Sequence, residues 1–312
     1  TLTIAGTGED FAATGDLDIA SNLTINGANA TATIVSGGKI DRVFHVTGAF
    51  TVTFVSLTIS GGDYFVPDAR GKGGGIFNAG GTLTLTGVTV ENNTAFLGGG
   101  IYNLNGTLMI SKSTIANNLG VNGGGITNDS GTLTILNSTV SGNCAEGGGV
   151  GIYTFGTTNL NNVTITNNTS TSPSISGGGI AGSANIKNTI IAGNTADSGS
   201  DCQGTLNSQG YNLIQNTNGC TISGDLTGNI TGQTANLGPL QNNGGSTLTH
   251  ALLTGSPAID AGNPAAPGSG GNACEATDQR SISRPQGASC DMGAYEVADQ
   301  TAFDCSYVTE IP

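Results

Sequence analysis

Residues 73–97 read GGGIFNAGGTLTLTGVTVENNTAFL, and residues 98–122 (GGGIYNLNGTLMISKSTIANNLGVN) and 123–147 (GGGITNDSGTLTILNSTVSGNCAEG) repeat them almost position by position. Further along, GIYTFGTTNLNNVTITNNTS and GGGIAGSANIKNTIIAGNTA are looser copies. The isoleucine after each glycine cluster falls at Ile76, Ile101, Ile126, Ile152 and Ile180, in steps of 25, 25, 26 and 28 residues. Each row holds three short runs of alternating apolar and polar residues. Leu83 and Leu85 recur as Leu108 and Ile110, then as Leu133 and Ile135, and Val90 recurs as Ile115, Val140, Ile165 and Ile191. Period-two alternation buries one side of a strand. One row cannot close a core alone, whereas like residues stacked at a constant step share one. The pattern predicts an all-β, right-handed parallel β-helix, a solenoid with coils of about 25 residues. A hairpin meander has no reason to keep residue identities at a fixed step, and no row carries the L-x-x-L-x-L and helical arc of a leucine-rich repeat.

Asparagines recur with the same step. Asn93, Asn118, Asn143, Asn168 and Asn194 follow the third run of successive rows, and Asn78, Asn103 and Asn128 follow the first, with Thr154 next in line. Asparagine tolerates a left-handed backbone at a tight bend, and stacked amides hydrogen-bond along the axis as in cross-β ladders. Both series are expected to be structural ladders. Coils are expected over 1–200, irregular before Gly73 and with a protruding loop at 63–72. Further coils and a terminal cap are expected over 201–296, and a tail over 297–312. About ten coils at roughly 4.8 Å each make a rod of about 45–50 Å.

Charged residues make up only 9% of the 312-residue chain, Gly numbers 53, and the net charge is −13. The eight basic residues are scattered, so no basic stripe exists for nucleic acid or an anionic membrane. No apolar run reaches the roughly 20 residues of a membrane span. No basic, apolar leader is present at Thr1, so an exported protein would have been processed or cut there.

Six cysteines, none in a C-x-x-C pair, point to an oxidising, extracellular or cell-surface setting rather than to a metal site. Cys202 with Cys220 and Cys274 with Cys290 each flank a turn-rich segment and are the expected disulfides. Cys144 and Cys305 remain, to bond with each other or between molecules.

Catalytic groups are sparse. A polyuronate lyase needs clustered cations and a basic residue as proton acceptor. A glycoside hydrolase needs converging carboxylates, and between Gly73 and Asn194 the acids are Glu91, Asp129 and Glu146, at unrelated positions in their rows. The chain is therefore expected not to be an enzyme, with a polysaccharide lyase or hydrolase as the least favoured reading. The two histidines, His45 and His250, have no Cys or acid at ligand spacing, so no metal site is expected there. Weak calcium candidates are Asp197 to Asp201, and Glu9 and Asp10 with Asp16 and Asp18; no cofactor is otherwise implied. Phe77, Tyr102 and Tyr153 each follow the leading isoleucine, so alternation turns them outward as a stripe on which a glycan can stack.

The last third carries GPLQNNGG, THALL, GSPAIDAG, DQR, RP and CDMGAYE between Asp201 and Glu296. Together these resemble the choice-of-anchor Q family of bacterial surface proteins. The N-terminal TLTIAGTGED…NLTINGANA is similar to the region after a CSLREA-type start in many members, and that start is itself absent. The resemblance implies a parallel β-helix at the cell surface and no particular enzymatic activity. DQRSISRP departs slightly from the family's DQRG-x-x-RP, and the 16 residues after Glu296 hold no anchor. GSPAIDAGNP reads as an end cap, in which Asp260 pairs with Arg280 or Arg284, Asp291 pairs with the other, and the Cys274–Cys290 bridge closes the loop. The function expected is a secreted or surface structural protein, with a carbohydrate-binding adhesin as the alternative. The first coil looks uncovered, so end-to-end self-association into a filament is expected, through Phe303, Tyr307 and Ile311 of the tail.

Overall fold

The computed structural model describes residues 15–66, 70–172 and 176–298. All regular structure is β, and parallel strands stack into a solenoid of about eight turns. Isoleucine sits on isoleucine as the 25-residue step requires: Ile76, Ile101, Ile126, Ile152 and Ile180 are successive register partners. The turns have three main faces. The first runs through Leu17–Ile19, Phe44–Val46, Ile76–Ala79, Ile101–Leu104, Ile126–Asp129 and Ile152–Thr154. The second begins with Leu23–Asn26, Thr51–Val55, Thr82–Thr86 and Thr107–Ser111, and the third with Ile34–Ser36, Thr58–Ser60, Thr89–Glu91 and Thr114–Ala116. In the next two turns the second and third faces merge into the long strands Thr132–Ser141 and Thr157–Thr166. A further column of two-residue strands, from Asp63–Tyr64 to Thr169–Ser170, closes the turns. It includes the first residues of the segment expected to protrude as a loop, since Asp63 and Tyr64 pair with Thr94 and Ala95. The inward residues of all faces, among them Phe54, Leu83, Ile110, Ile135 and Ile165, are fully buried in one continuous core.

Both predicted ladders form. Asn93, Asn118, Asn143 and Asn168 each donate Nδ2–H to the Oδ1 of the next asparagine at 3.0, 3.0, 2.8 and 2.9 Å, ending on Asn194. Each amide also donates to a strand carbonyl; for Asn118 this is Val90 O, at 2.9 Å. In the second ladder Asn78 donates to Asn103 at 2.7 Å and Asn103 to Asn128 at 2.8 Å. Asn128 then meets the hydroxyls of Thr154 and Thr158. The left-handed bend lies elsewhere than expected. The residue before each rung takes it: Asn92, Asn117 and Asn167 at φ 55°, 55° and 57°, with Gly142 and Gly193 in the same column. This explains the Asn-Asn and Gly-Asn pairs. The first residue turns the chain, and the second points its amide inward.

The stack ends earlier than expected. Its last strands are Cys220–Asp225 and Ile230–Thr231, after which the chain leaves the solenoid. Eight turns at roughly 4.8 Å span about 38 Å, shorter than the ten coils the sequence suggested. Residues 235–298, which include the GSPAIDAGNP segment expected to cap the end, lie along the third face instead. Thr114, Thr139 and Thr164, which point out of that face in consecutive turns, bond to Leu248, Gln279 and Ala294 respectively. Further on, the outward residues become Ile190 and Leu213, which are buried with Ala235, Leu252, Ala258 and Met292 in a second core. The antiparallel pair Leu237–Gln241 and Thr249–Leu252 belongs to this unit. The tail from 299 on, with Cys305, Phe303, Tyr307 and Ile311, lies outside the described residues, as do Glu9 and Asp10.

Candidate functional site

The column of outward residues on the first face is where register brings chemistry together. Asp18, His45, Phe77, Tyr102, Thr127 and Tyr153 are successive register partners. Phe77, Tyr102 and Tyr153 do point away from the core, but Tyr102 is only 3% exposed. Its hydroxyl donates to Asp129 Oδ2 at 2.6 Å, and burial pushes its pKa up, helped by that carboxylate. The Lys72 ammonium lies 5.1 Å from the Tyr102 ring and Phe77 meets it edge-on. Packing therefore uses up the aromatic stripe at its centre, and Tyr102 offers no stacking platform to a sugar.

Above Phe77 the column turns ionic. The His45 ring stacks on Phe77 with centroids 4.7 Å apart, and its Nδ1 stands 3.0 Å from Asp18 Oδ1. Beside them Arg42 Nε lies 2.6 Å from Asp16 Oδ2 and 3.9 Å from Asp41 Oδ1. The Arg42 guanidinium covers the Tyr64 ring at 4.2 Å. Burial raises the Asp16 pKa to about 7, against the pull of Arg42. Ligand atoms of Asp16, Asp18 and His45 fall within 4.8 Å of one another. Sequence reasoning set His45 aside because no acid stood at ligand spacing. Its acids come from the preceding turn, and the signal was the alignment of LDI at 17–19 under FHV at 44–46.

The second face presents hydroxyls and amides. Thr51, Thr82, Thr107, Thr132 and Thr157 form one exposed column in consecutive turns. Thr53, Thr84, Met109, Thr134 and Asn159 form the column beside it. The second column continues as an outer amide ladder that the sequence reading missed, in which Asn185 donates to Asn159 and Asn207 to Asn185, both at 2.8 Å. Shallow grooves of about 180 and 290 Å³ flank that ladder, one lined by Thr157, Ser183 and Thr205 and the other by Leu136, Asn161 and Lys187. No charged side chain interrupts either column.

The motif residues of the last third converge on one buried knot. Arg284 pairs with Glu296 at 2.7 Å and donates to the carbonyls of Asp291 and Gly293. Arg280 pairs with Asp278 at 2.7 Å and lies over the Tyr295 ring at 3.6 Å. The expected partners Asp260 and Asp291 do other work. Asp291 accepts the backbone N–H groups of Asp260 and Val297, each at 2.7 Å, and burial and then Glu296 lift its pKa to about 7. Gln279 bonds Thr114 and Thr139 in the solenoid. His250 Nδ1 lies 2.7 Å from the Gly238 carbonyl, which can only accept, so Nδ1 carries the proton; Nε2 then accepts from Ser141 Oγ at 2.8 Å. Burial lowers the His250 pKa and holds this neutral tautomer.

Both expected disulfides, Cys202–Cys220 and Cys274–Cys290, are formed. Cys144 is a free thiol, with its pKa raised by burial. Asp201, a weak calcium candidate, is instead the terminal rung of the first ladder. Its Oδ1 accepts Nδ2–H of Asn194 at 2.9 Å and its Oδ2 accepts the Asn216 N–H at 2.8 Å. No family model matches this chain, and no match is found among curated proteins or solved structures. No helix among the described residues is long and apolar enough to cross a membrane.

Proposed function

We propose that this protein is an extracellular structural rod of a bacterial surface, of the kind its resemblance to the choice-of-anchor Q family implies. The observation that carries the reading is the contrast between its faces. The third is bonded to the C-terminal unit over several turns, while the second presents an exposed threonine column, Thr51 to Thr157, with a second column beside it, neither interrupted by a charged side chain. Rigidity comes from ladders that tie every central turn to the next. Two disulfides fit an oxidising environment. Among the described residues, the outer edges of Leu17–Ile19 and Leu23–Asn26 at one end, and of Cys220–Asp225 at the other, pair with no further strand. Such edges template strand addition, and joining unlike ends continues the stack without closing it. Negative-stain electron microscopy and sedimentation at high concentration test this: filaments that lengthen with concentration are expected, and strictly single rods refute end-to-end assembly.

The second face also favours an adhesin that binds neutral glycan. Parallel columns of hydroxyls and amides, with grooves beside the Asn159–Asn185–Asn207 ladder, offer donors and acceptors in a regular array. Glycan-array binding abolished by Asn185→Arg, and unchanged by Tyr102→Phe, is the expected result. Binding that depends on Tyr102 overturns this placement.

A further inference from the structure

From the register of the second face we infer that its threonine columns bind the surface of an ice crystal, the ligand being water in its hexagonal lattice. The first column is Thr51, Thr82, Thr107, Thr132 and Thr157, register partners in consecutive turns and exposed in each. Two residues further along the same strands, Thr53, Thr84, Met109 and Thr134 stack beside it, with Thr24 in the turn before. Adjacent strands stand about 4.8 Å apart, and residues i and i+2 of one strand about 6.7 Å apart. The two columns therefore form a grid of hydroxyls and methyls. Both grid spacings fall within about a tenth of the oxygen repeats along the a and c axes of hexagonal ice, the two axes of a prism face.

The grid is open and built in advance. Among the described residues, the side-chain hydroxyls of Thr51, Thr82, Thr107, Thr132 and Thr157 enter no hydrogen bond within the chain. In the next column along the same strands, by contrast, the Thr86 and Ser111 hydroxyls bond each other at 3.2 Å. Branching at Cβ restricts χ1, so the hydroxyl and methyl of each threonine have few positions to choose from. The asparagine ladders hold the step from turn to turn. A single threonine gains little from ice over liquid water, because both offer it hydrogen bonds. Discrimination comes from the number of groups that meet lattice positions together, and a preformed array loses little freedom in doing so.

The chemistry of the face fits the same ligand. Strand propensity favours threonine but equally accepts valine, isoleucine and tyrosine, and exposed positions ordinarily admit lysine and glutamate. Neither column holds a charge. An ammonium is a strongly hydrated point charge, and its water shell does not match the lattice. The other outward columns differ. On the first face Asp18, His45, Phe77 and Tyr102 follow one another, and on the third the threonines are bonded to the C-terminal unit. Met109 breaks the second column, standing 41% exposed between Thr84 and Thr134. The glycan reading shares this face but rests on the grooves beside Asn159, Asn185 and Asn207, so either can fail without the other.

Growth of a single ice crystal in a solution of the full chain, with osmometry of the gap between its melting and freezing points, tests the inference. The wild type should facet the crystal, open a gap and be taken up into slowly grown ice. Thr82→Lys combined with Thr132→Lys should abolish all three while the thermal melt of the protein stays unchanged. Leu119→Lys adds a charge at an exposed position in the column of two-residue strands and should leave them intact. Met109→Thr completes the grid and should widen the gap. Asn185→Arg should keep the faceting even where it removes glycan binding, which separates the two readings. Smooth, unfaceted growth with the wild type overturns the proposal, as does a loss in Leu119→Lys equal to that in the double variant, or a gap that Met109→Thr narrows.

Discussion

The asparagine pairs divide two tasks between neighbouring residues, and each half predicts a different mutational outcome. Asn118 donates to Val90 O and Asn143 Oδ1, and accepts from Asn93 through both N–H and Nδ2–H. Leucine at 118 would orphan several buried groups, each worth about 1–3 kcal/mol. Asn118→Leu should therefore cost at least about 3 kcal/mol by urea denaturation, and an unchanged midpoint would show that the ladder bears no load. Its neighbour Asn117 sits at φ 55°, where glycine is at ease and alanine is not. Asn117→Gly should be close to neutral, and Asn117→Ala should lose about 1 kcal/mol. Asp291 gives a pH-dependent case. Its folded pKa, raised from 3.8 to about 7, favours the protonated folded form. The stabilisation this confers is complete below the unfolded pKa and is lost as pH rises through the folded one. Relative to Asp291→Asn, which does not titrate, wild-type stability should fall between about pH 4 and 7. A constant difference across that window would show that Asp291 ionises normally.

At the scale of elements, the C-terminal unit acts as a lateral splint. Gln279 accepts from Thr139 and donates to Thr114, Thr247 and the Leu248 carbonyl, so one amide joins two turns of the solenoid to the unit. Gln279→Leu leaves those buried groups unpaired. It should detach the unit before the solenoid melts, seen as faster hydrogen exchange confined to residues 235–298 and the third-face threonines. Exchange that speeds up uniformly would mean that solenoid and splint unfold as one. The sequence held a sign of this docking. NTIIAG at 188–193 and YNLIQ at 211–215 place two apolar residues in succession where earlier rows have Thr-Val or Thr-Ile. Such strands are covered on both sides.

Over the whole molecule, the turns divide their faces between stability and presentation. Thr132 is exposed on the second face, so Thr132→Lys should change stability by no more than about 0.5 kcal/mol while placing a charge in the uncharged array. A large loss of stability would mean that this face is covered in the folded molecule. The net charge of −13 keeps such a poorly charged surface soluble.

The fold was legible because a parallel solenoid writes its geometry into the chain. A constant step of about 25 residues puts like on like, so Ile76 to Ile180 and the ladder asparagines could be aligned without coordinates. The disulfides were legible for a related reason, since each closes a short local loop. What the tertiary structure alone decided lies where the step fails. Between Asp18 and His45 the spacing departs from the repeat, so the meeting of Asp16, Asp18, Arg42 and His45 depends on how the irregular first turns settle into register. Likewise, alternation turned Tyr102 away from the core but could not reveal that neighbouring groups bury it, because alternation reports the side of a strand and not what lies beyond. The placement of residues 235–298 along the flank was beyond local pattern too. It rests on contacts between positions more than 100 residues apart, such as Thr139 with Gln279, and only the folded chain brings those together.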